Sequence, residues 1–513
     1  MTIRLLTIAL LASAACMAQD FFFRCNFGPD EMAQWKLPRG AEIVQTEQAP
    51  VLKITAATRH DGDDGRATMS FPFDQYAGKT IRMHCRVKYE DVSKPAQSYN
   101  GTKFMMVYKT KSGQSRWLHG EGAWGSKDWH DITYAGTIDD DALPGTIELG
   151  LQDSTGSIWF QDLRMRLIDP AKVFPRVAPE DYLPAYTDRV LKEPRRRGVM
   201  SPSVFRKNVT LEKDLPDLAS WGATLIRWQL IRNWGARNSD QDPAEYLEWV
   251  RARVPEVKQV LDRCQELGIK VVLDLHVPPG GRREGGWMLM FENQVFADAF
   301  ADAWRILAAG VKGHPALFGY NLINEPCQPN DVVLIDYLTL QYNVAKIVRA
   351  IDPVTPIIIE SNNWSSAQSF RYLTPLPLND IIYQAHMYHP GGFTHQGVHG
   401  SAIGATYPDP AKKLDKDELR RHLQPVRDFQ LKYNARIYIG EFSAIRWAVG
   451  AAQYLQDCSD IFEEYGWDWS YHAYREWSGW SVEHGSDPKD EKPAASDTDR
   501  KKVLLEAFKR NQR

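Results

Sequence analysis

Residues 319–330 read GYNLINEPCQPN. The apolar run Tyr320–Ile323 stops abruptly at Asn324, Glu325 and Pro326. Near-continuous apolar sequence marks a parallel strand covered on both faces. An amide, a carboxylate and a proline at its end put a glutamate at the rim of a core. The flanking sequence repeats this pattern from about residue 198. Apolar strand candidates are GVMS (198–201), ATLIRWQ (223–229), KVVLDLH (270–276), LFGYNLINE (317–325), PIIIES (356–361), IIYQAHMY (381–388), RIYIGEF (436–442) and WDWSYHAY (467–474). Helix-length stretches separate them, among them PEVKQVLDRCQELG, ENQVFADAFADAWRILAAGV and DVVLIDYLTLQYNVAKIVRAID. The last carries apolar residues at three- and four-residue spacing, as a helix with one buried face does. Strand–helix alternation repeated eight times predicts an α/β fold, a (β/α)8 TIM barrel over 198–513.

The sequence before the barrel has a different rhythm. Residues 19–168 hold short alternating runs such as TIRMHCRVKYE, KFMMVYKT, TIELGLQD and SIWFQDLRMRLID, separated by turn signals and without a long helix. Such runs at regular spacing predict an all-β sandwich. Residues 169–197, rich in proline and charge, read as a linker or a strap. Residues 486–500, SDPKDEKPAASDTDR, read as a charged loop before the last helix. The first eighteen residues have a basic start at Arg4 and an apolar run from Leu5 to Ala15, which predicts a signal peptide cleaved before Gln19. Lipid modification at Cys16 is the alternative. No later run has the ~20 apolar residues of a membrane helix. The expectation is an exported protein, secreted or periplasmic, without an integral membrane segment.

The chain has 513 residues and a formal net charge of −3, so no basic excess points to nucleic acid or an acidic membrane surface. The 17 Trp and 21 Tyr suit stacking on sugar rings as well as ordinary core packing. Five cysteines follow the signal segment, Cys25, Cys85, Cys264, Cys327 and Cys458, with no CxxC spacing, which argues against a zinc site. Cys25 and Cys85 are a possible disulfide pair.

In a barrel of this kind, functional residues sit at the C-terminal ends of the strands. Reading those ends gives Arg227, Asp274, His276, Asn324, Glu325, Glu360, His386, Tyr388, Glu441, His472 and Tyr474, then Glu476 and Trp477. Glu325 and Glu441 end the fourth and seventh strands, which face each other across the mouth. Two facing carboxylates suit glycoside hydrolysis, where one gives a proton to the leaving oxygen and the other, ionised, meets the anomeric carbon. Arg227 is the natural cation to hold Glu441 ionised, and partial burial would keep Glu325 an acid. Each motif has a plain structural alternative: a helix cap at Asn324–Pro326, an ordinary ion pair at Arg227, a core histidine at His276. Glu360 and Glu476 are competing carboxylates, ranked lower because neither has both a partner and a flanking small or amide residue.

GATLIRWQ, VVLDLH, NLINEP, AHMYHP and IYIGEF resemble the strand-end motifs of glycoside hydrolase family 5, the cellulase-like retaining enzymes, over residues 198–480. The resemblance implies Glu325 as acid/base and Glu441 as nucleophile, with Asn324 on the sugar 2-hydroxyl. It implies Arg227 and Tyr388 beside the nucleophile, and His276 and His386 along the subsite next to the scissile bond. It implies retaining hydrolysis of a polysaccharide, with an endo-β-1,4-glucanase leading and β-mannanase, another β-glycan hydrolase or a transglycosylase as alternatives. No metal or other cofactor is implied, and a monomer is expected. A barrel kept only for carbohydrate binding is the alternative from another class. The sequence departs from the family at strand eight, where Tyr471-His472 stands in place of Tyr-Trp; Trp477 is then the candidate sugar platform. Arg282 and Arg283 in HVPPGGRREGGW read as surface charges or as contacts to a substituted sugar. The N-terminal sandwich resembles a jelly-roll carbohydrate-binding module, with Trp117, Trp124, Trp129 and Trp159 as candidate aromatics.

Overall fold

The computed structural model describes residues 21–511 apart from 47–48, 60–64, 98–99, 120–122, 169–187, 203–210, 234–235, 237–238, 284–285, 329–333 and 399. The expected signal segment and most of the expected linker lie outside the described residues. The chain divides into two compact units, residues 1–169 and 170–513.

The first unit is antiparallel. Its strands are β1 (Phe23–Cys25), β2 (Trp35–Lys36), β3 (Ala41–Val44), β4 (Val51–Ala56), β5 (Arg66–Phe71), β6 (Thr80–Val92), β7 (Gly101–Lys109), β8 (Ser115–His119), β9 (Gly125–Thr137), β10 (Gly145–Gln152) and β11 (Gly156–Ile168). One sheet runs β3-β4-β11-β6-β9 with β1 on β11, the other β2-β5-β10-β7-β8. Period-two alternation buries one face of each: Ile81, Met83, Cys85 and Val87 of β6 enter the same apolar core as Ile147 and Leu149 of β10. Cys25 and Cys85 are both buried in that core as free thiols, so the possible disulfide is not formed. They pack there as small hydrophobes, and burial pushes the Cys25 thiol up to about 11.

The four candidate tryptophans do not form one surface. Trp117 lies on β8 of the five-stranded sheet, with its neighbour Leu118 turned to the core. Trp159 lies on β11 of the six-stranded sheet, between Ile158 and Phe160, which point inward. Lys53 and Lys88 sit over the Trp159 ring and Arg86 over Trp129.

The second unit is a closed parallel barrel of eight strands: β12 (Arg197–Pro202), β13 (Leu225–Leu230), β14 (Lys270–Leu275), β15 (Leu317–Asn321), β16 (Ile357–Glu360), β17 (Ile381–Met387), β18 (Arg436–Phe442) and β19 (Asp468–Tyr471). Each was legible as an apolar run, and every residue of β13 and β15–β19 is buried. β15 ends four residues before Glu325, because the chain turns out of the ladder there and Glu325 takes a left-handed φ of 50°. PEVKQVLDRCQELG proves to be the second half of a 24-residue helix, Pro243–Glu266, capped by Asp242 and continuing through Pro255. The helix expected from Asp331 begins instead at Tyr337, where the Asp336 carboxylate accepts from the Leu338 and Thr339 amides.

Alternation along the strands divides the barrel interior into layers. Leu225, Val272, Phe318, Ile358, Ile382 and Tyr438 form an apolar plug with Val190. Val190 belongs to the short helix Asp188–Lys192, whose following residues Glu193 and Pro194 offer carbonyls to the buried Arg436 at 2.9 Å each. This described end of the expected linker is thus strapped to the barrel's N-terminal end. Two residues further along four of these strands the interior turns polar: Arg227 above Leu225, Asp274 above Val272, Glu360 above Ile358, Gln384 above Ile382. No helix among the described residues is long and apolar enough to cross a membrane.

Candidate active site

Arg227 is fully buried and gathers the polar layer around its guanidinium. Its Nη1 donates to Glu441 Oε1 at 2.6 Å and its Nε to Asn321 Oδ1 at 2.8 Å. Its Nη2 donates to Glu360 Oε1 and to Asn324 Oδ1, both at 2.9 Å, and lies 3.2 Å from Asp274 Oδ1. Burial alone would lower its pKa; Asp274, Glu360 and Glu441 overcome that and raise it. The cation is therefore permanent and shared by three carboxylates.

Glu441 reaches this layer through a register shift. β18 carries an extra residue between the pairs Ala385↔Ile439 and His386↔Glu441. The extra residue is Gly440, and a Cβ there would lie 2.2 Å from Gln384 Nε2. Only glycine lets the strand pass the Gln384 amide and then turn a carboxylate inward. Tyr388 Oη donates to the second Glu441 oxygen at 2.9 Å. Burial would raise the Glu441 pKa, but His386, His472, Arg227 and His276 hold it well below the usual carboxylate range. This group stays ionised.

Glu325 is set differently. Its carboxylate is partly exposed and, among the described residues, meets His386, whose Nδ1 lies 3.0 Å from Oε1. An oxygen of Glu325, a nitrogen of His386 and an oxygen of Glu441 all lie within 4.8 Å of one another. The same three groups have the spacing to hold a metal ion, and the gap between the carboxylates also fits a sugar's anomeric carbon and its leaving oxygen.

The other expected residues converge here. Asn324 is buried, its Oδ1 fixed by Arg227 and its Nδ2 donating to His276 Nε2 at 3.1 Å. The His276 Nδ1 faces Asp274 Oδ2 at 2.7 Å. Asp274, His276 and Asn324 so form a chain that orients the Asn324 amide. Glu360 has the cationic partner that sequence reading denied it. It is fully buried and accepts from Arg227, Asn321 Nδ2 at 2.9 Å, Gln384 Nε2 at 2.6 Å and the Glu325 amide at 2.8 Å. Its place is beneath the site, as a support for Arg227 and the Glu325 backbone.

Strand eight supplies a chain rather than a platform. Because Tyr388 Oη donates to Glu441, its oxygen accepts from His472 Nδ1, 2.8 Å away. His472 Nε2 faces Glu476 Oε2 at 3.1 Å. Both ring nitrogens then donate, which makes His472 an imidazolium. Burial lowers its pKa, but Glu476 and Glu441 raise it above the ordinary histidine value. The ring against Tyr388 and His472 is that of Trp480, with centroids 6.3 and 5.4 Å away. Trp477, the expected platform, is 43% exposed and packs on Trp480 and Trp447 at the rim. Sequence reading missed Trp480 because it follows the strand end by nine residues, beyond any strand-end motif. Arg283 is an exposed charge paired with Glu292 at 2.9 Å, whereas Arg282 turns inward against the backbone of the fourth strand end.

A parallel eight-stranded barrel with two unlike carboxylates at its C-terminal mouth suits glycoside hydrolysis, and comparison with known proteins makes the chain a glycoside hydrolase acting on β-glycosidic bonds. The chain belongs to the cellulase family, glycosyl hydrolase family 5, which matches residues 195–485. It is 28% identical to endoglucanase C of Acetivibrio thermocellus over 306 residues, covering 53% of this chain and 87% of that protein. It is 22% identical to cellodextrinase A of Ruminococcus flavefaciens over 288 residues, covering 53% and 80%. Among solved structures, endoglucanase Cel5A of Thermotoga maritima is similar with a TM-score of 0.47 at 22% identity, over 61% of this chain and 96% of that one.

Proposed function

We propose that the protein is an endo-acting β-1,4-glucanase that works by retaining double displacement, with Glu441 as nucleophile and Glu325 as acid/base. The observation that carries this reading is the approach of the two carboxylates to within 4.8 Å. Retaining pairs sit roughly 5–5.5 Å apart, while inverting pairs need roughly 6.5–9.5 Å to admit a water. Their settings differ as the two roles require. Glu441 has two donors, one of them the permanent Arg227 cation, to keep it ionised; among the described residues Glu325 has His386 as a partner, and it has access to solvent.

In the first step a Glu441 oxygen attacks the anomeric carbon while Glu325 gives its proton to the departing glycosidic oxygen. In the second, Glu325 takes a proton from a water, which attacks the same carbon and releases Glu441. Asn324, fixed by Arg227 and His276, offers an amide to the sugar 2-hydroxyl, a contact that strengthens in the transition state. A β-glucan is favoured because similar proteins include an endoglucanase and a cellodextrinase. Export is part of the proposal: a polymer is met outside the cell, and residues 1–18 read as a signal peptide.

The test is hydrolysis of carboxymethyl cellulose, barley β-glucan, glucomannan, mannan, xylan and xyloglucan by wild type and by Glu441→Gln. Reducing sugar from the glucans with wild type alone, with the β-anomer formed first, is the expected result. Activity confined to mannan or xylan would move the substrate, and equal activity of Glu441→Gln would move the nucleophile.

A further inference from the structure

Glu325 is held by its backbone more than by its side chain. Its φ of 50° lies in the left-handed region, which a glutamate adopts at a cost. Two charges, the buried Glu360 and the half-buried Arg282, grip the peptide groups on either side. On one, the Glu360 Oε2 accepts from the Glu325 amide at 2.8 Å. On the other, the Arg282 guanidinium closes on the carbonyls. Nη2 donates to Asn324 O at 2.8 Å, and Nη1 and Nη2 each donate to Glu325 O at 3.1 Å.

The guanidinium is itself fixed. Nη1 also donates to Gly286 O at 3.0 Å, and the Arg282 backbone bridges to Met288. The ring of Trp364 lies 4.9 Å from the guanidinium carbon. Trp364 is aimed there by three successive left-handed residues after β16, Asn363, Trp364 and Ser365. A Cβ at Gly286 would lie 1.9 Å from that ring, so the tryptophan's approach requires glycine.

We infer that Arg282, with Trp364 behind it, is a positioning residue for the acid/base: it clamps the left-handed turn that aims the Glu325 carboxyl at the leaving oxygen. This rests on the assignment of Glu325 proposed above. Among the described residues the Arg282 guanidinium donates to backbone carbonyls, and it neither gives nor takes a proton. Its loss frees the turn to relax, so it impairs proton donation while leaving nucleophilic attack by Glu441 intact.

The experiment compares kcat/KM on aryl β-cellobiosides spanning leaving groups from 2,4-dinitrophenol, which needs no proton, to unactivated phenol, which does. Wild type, Arg282→Ala, Arg282→Lys and Glu325→Ala are run together, with circular dichroism to verify folding. Arg282→Ala is expected to lose about 100-fold on the phenyl glycoside, within the range that general acid catalysis supplies, and only a few-fold on the dinitrophenyl one. Arg282→Lys, retaining a cationic donor, falls between. Added azide should intercept the glycosyl-enzyme of Arg282→Ala and yield the β-glycosyl azide. Uniform loss across the series, or no loss, overturns the clamp provided that Glu325→Ala shows the selective loss. If Glu325→Ala also loses activity uniformly, the acid/base assignment itself fails and the clamp with it.

Discussion

The Arg227 cation and the His472–Tyr388 chain at Glu441 set it apart from Glu325, although both are glutamates at strand ends. Arg227 is buried where no water can screen it, so its attraction for Glu441 is far stronger than an exposed pair's. His472 acts through Tyr388, whose hydroxyl it polarises toward Glu441. Tyr388→Phe removes a hydrogen bond to a charged group, worth about 1.5–3 kcal/mol, and should lower kcat/KM by about 10- to 100-fold. Removing the His472 cation takes away one of the forces that depress the Glu441 pKa. The acidic limb of the kcat/KM profile should therefore move to higher pH in His472→Gln, and a pH–rate series on a dinitrophenyl glycoside would measure it. A limb that stays in place would separate His472 from the nucleophile.

Within the elements, two-residue alternation carries an apolar plug below and a polar layer above on the same strands. Gly440, an extra residue in β18, brings Glu441 into the layer. Gly440→Ala would press a methyl into the Gln384 amide, which donates to Glu360. It should cost about 1–3 kcal/mol in urea unfolding and lower activity beyond that loss, since Glu360 supports both Arg227 and the Glu325 turn. At the other end, Asp352 caps the helix Tyr337–Ile351 and ties neighbouring loops to β15. It accepts from Tyr320 Oη at 2.8 Å, Thr355 Oγ1 at 2.7 Å and the Thr355 amide at 3.1 Å. Burial would raise its pKa, but those donors hold it at about 2. A depressed carboxylate stabilises the fold above its unfolded pKa of about 4, and that contribution is lost as pH falls through about 2. Asp352→Asn should cost on the order of 1–2 kcal/mol at neutral pH and flatten the acid dependence between pH 4 and 2, as read by urea titrations.

Across the whole molecule, each of the two units closes around a core of its own. Each core should therefore melt as a cooperative transition. Phe318 fills the barrel's plug, and Phe318→Ala should destabilise that unit by about 3–5 kcal/mol. Phe160 fills the sandwich core, and Phe160→Ala should act on that unit by a similar amount. Scanning calorimetry of the intact chain should show each substitution lowering a different transition. A single transition lowered equally by both would mean that the units unfold together.

The sequence by itself determined the order of elements and the ring of strand-end groups. Apolar runs, helix periodicity and the alternation of the two are local, and a (β/α)8 connection admits few closures. Arg227, His276, Asn324, Glu325, His386, Tyr388 and Glu441 could be named because strand ends in such a barrel meet at one mouth. Tertiary structure alone decided what each group touches. Glu360 looked unpartnered because Arg227 lies 133 residues away in the chain, yet alternation buries both in one layer. Trp480 and Arg282 sit in loops with no period to read, and their places follow from where those loops fold back. The Glu325 turn likewise depends on two charges from distant segments, Arg282 and Glu360, that meet only when the barrel closes.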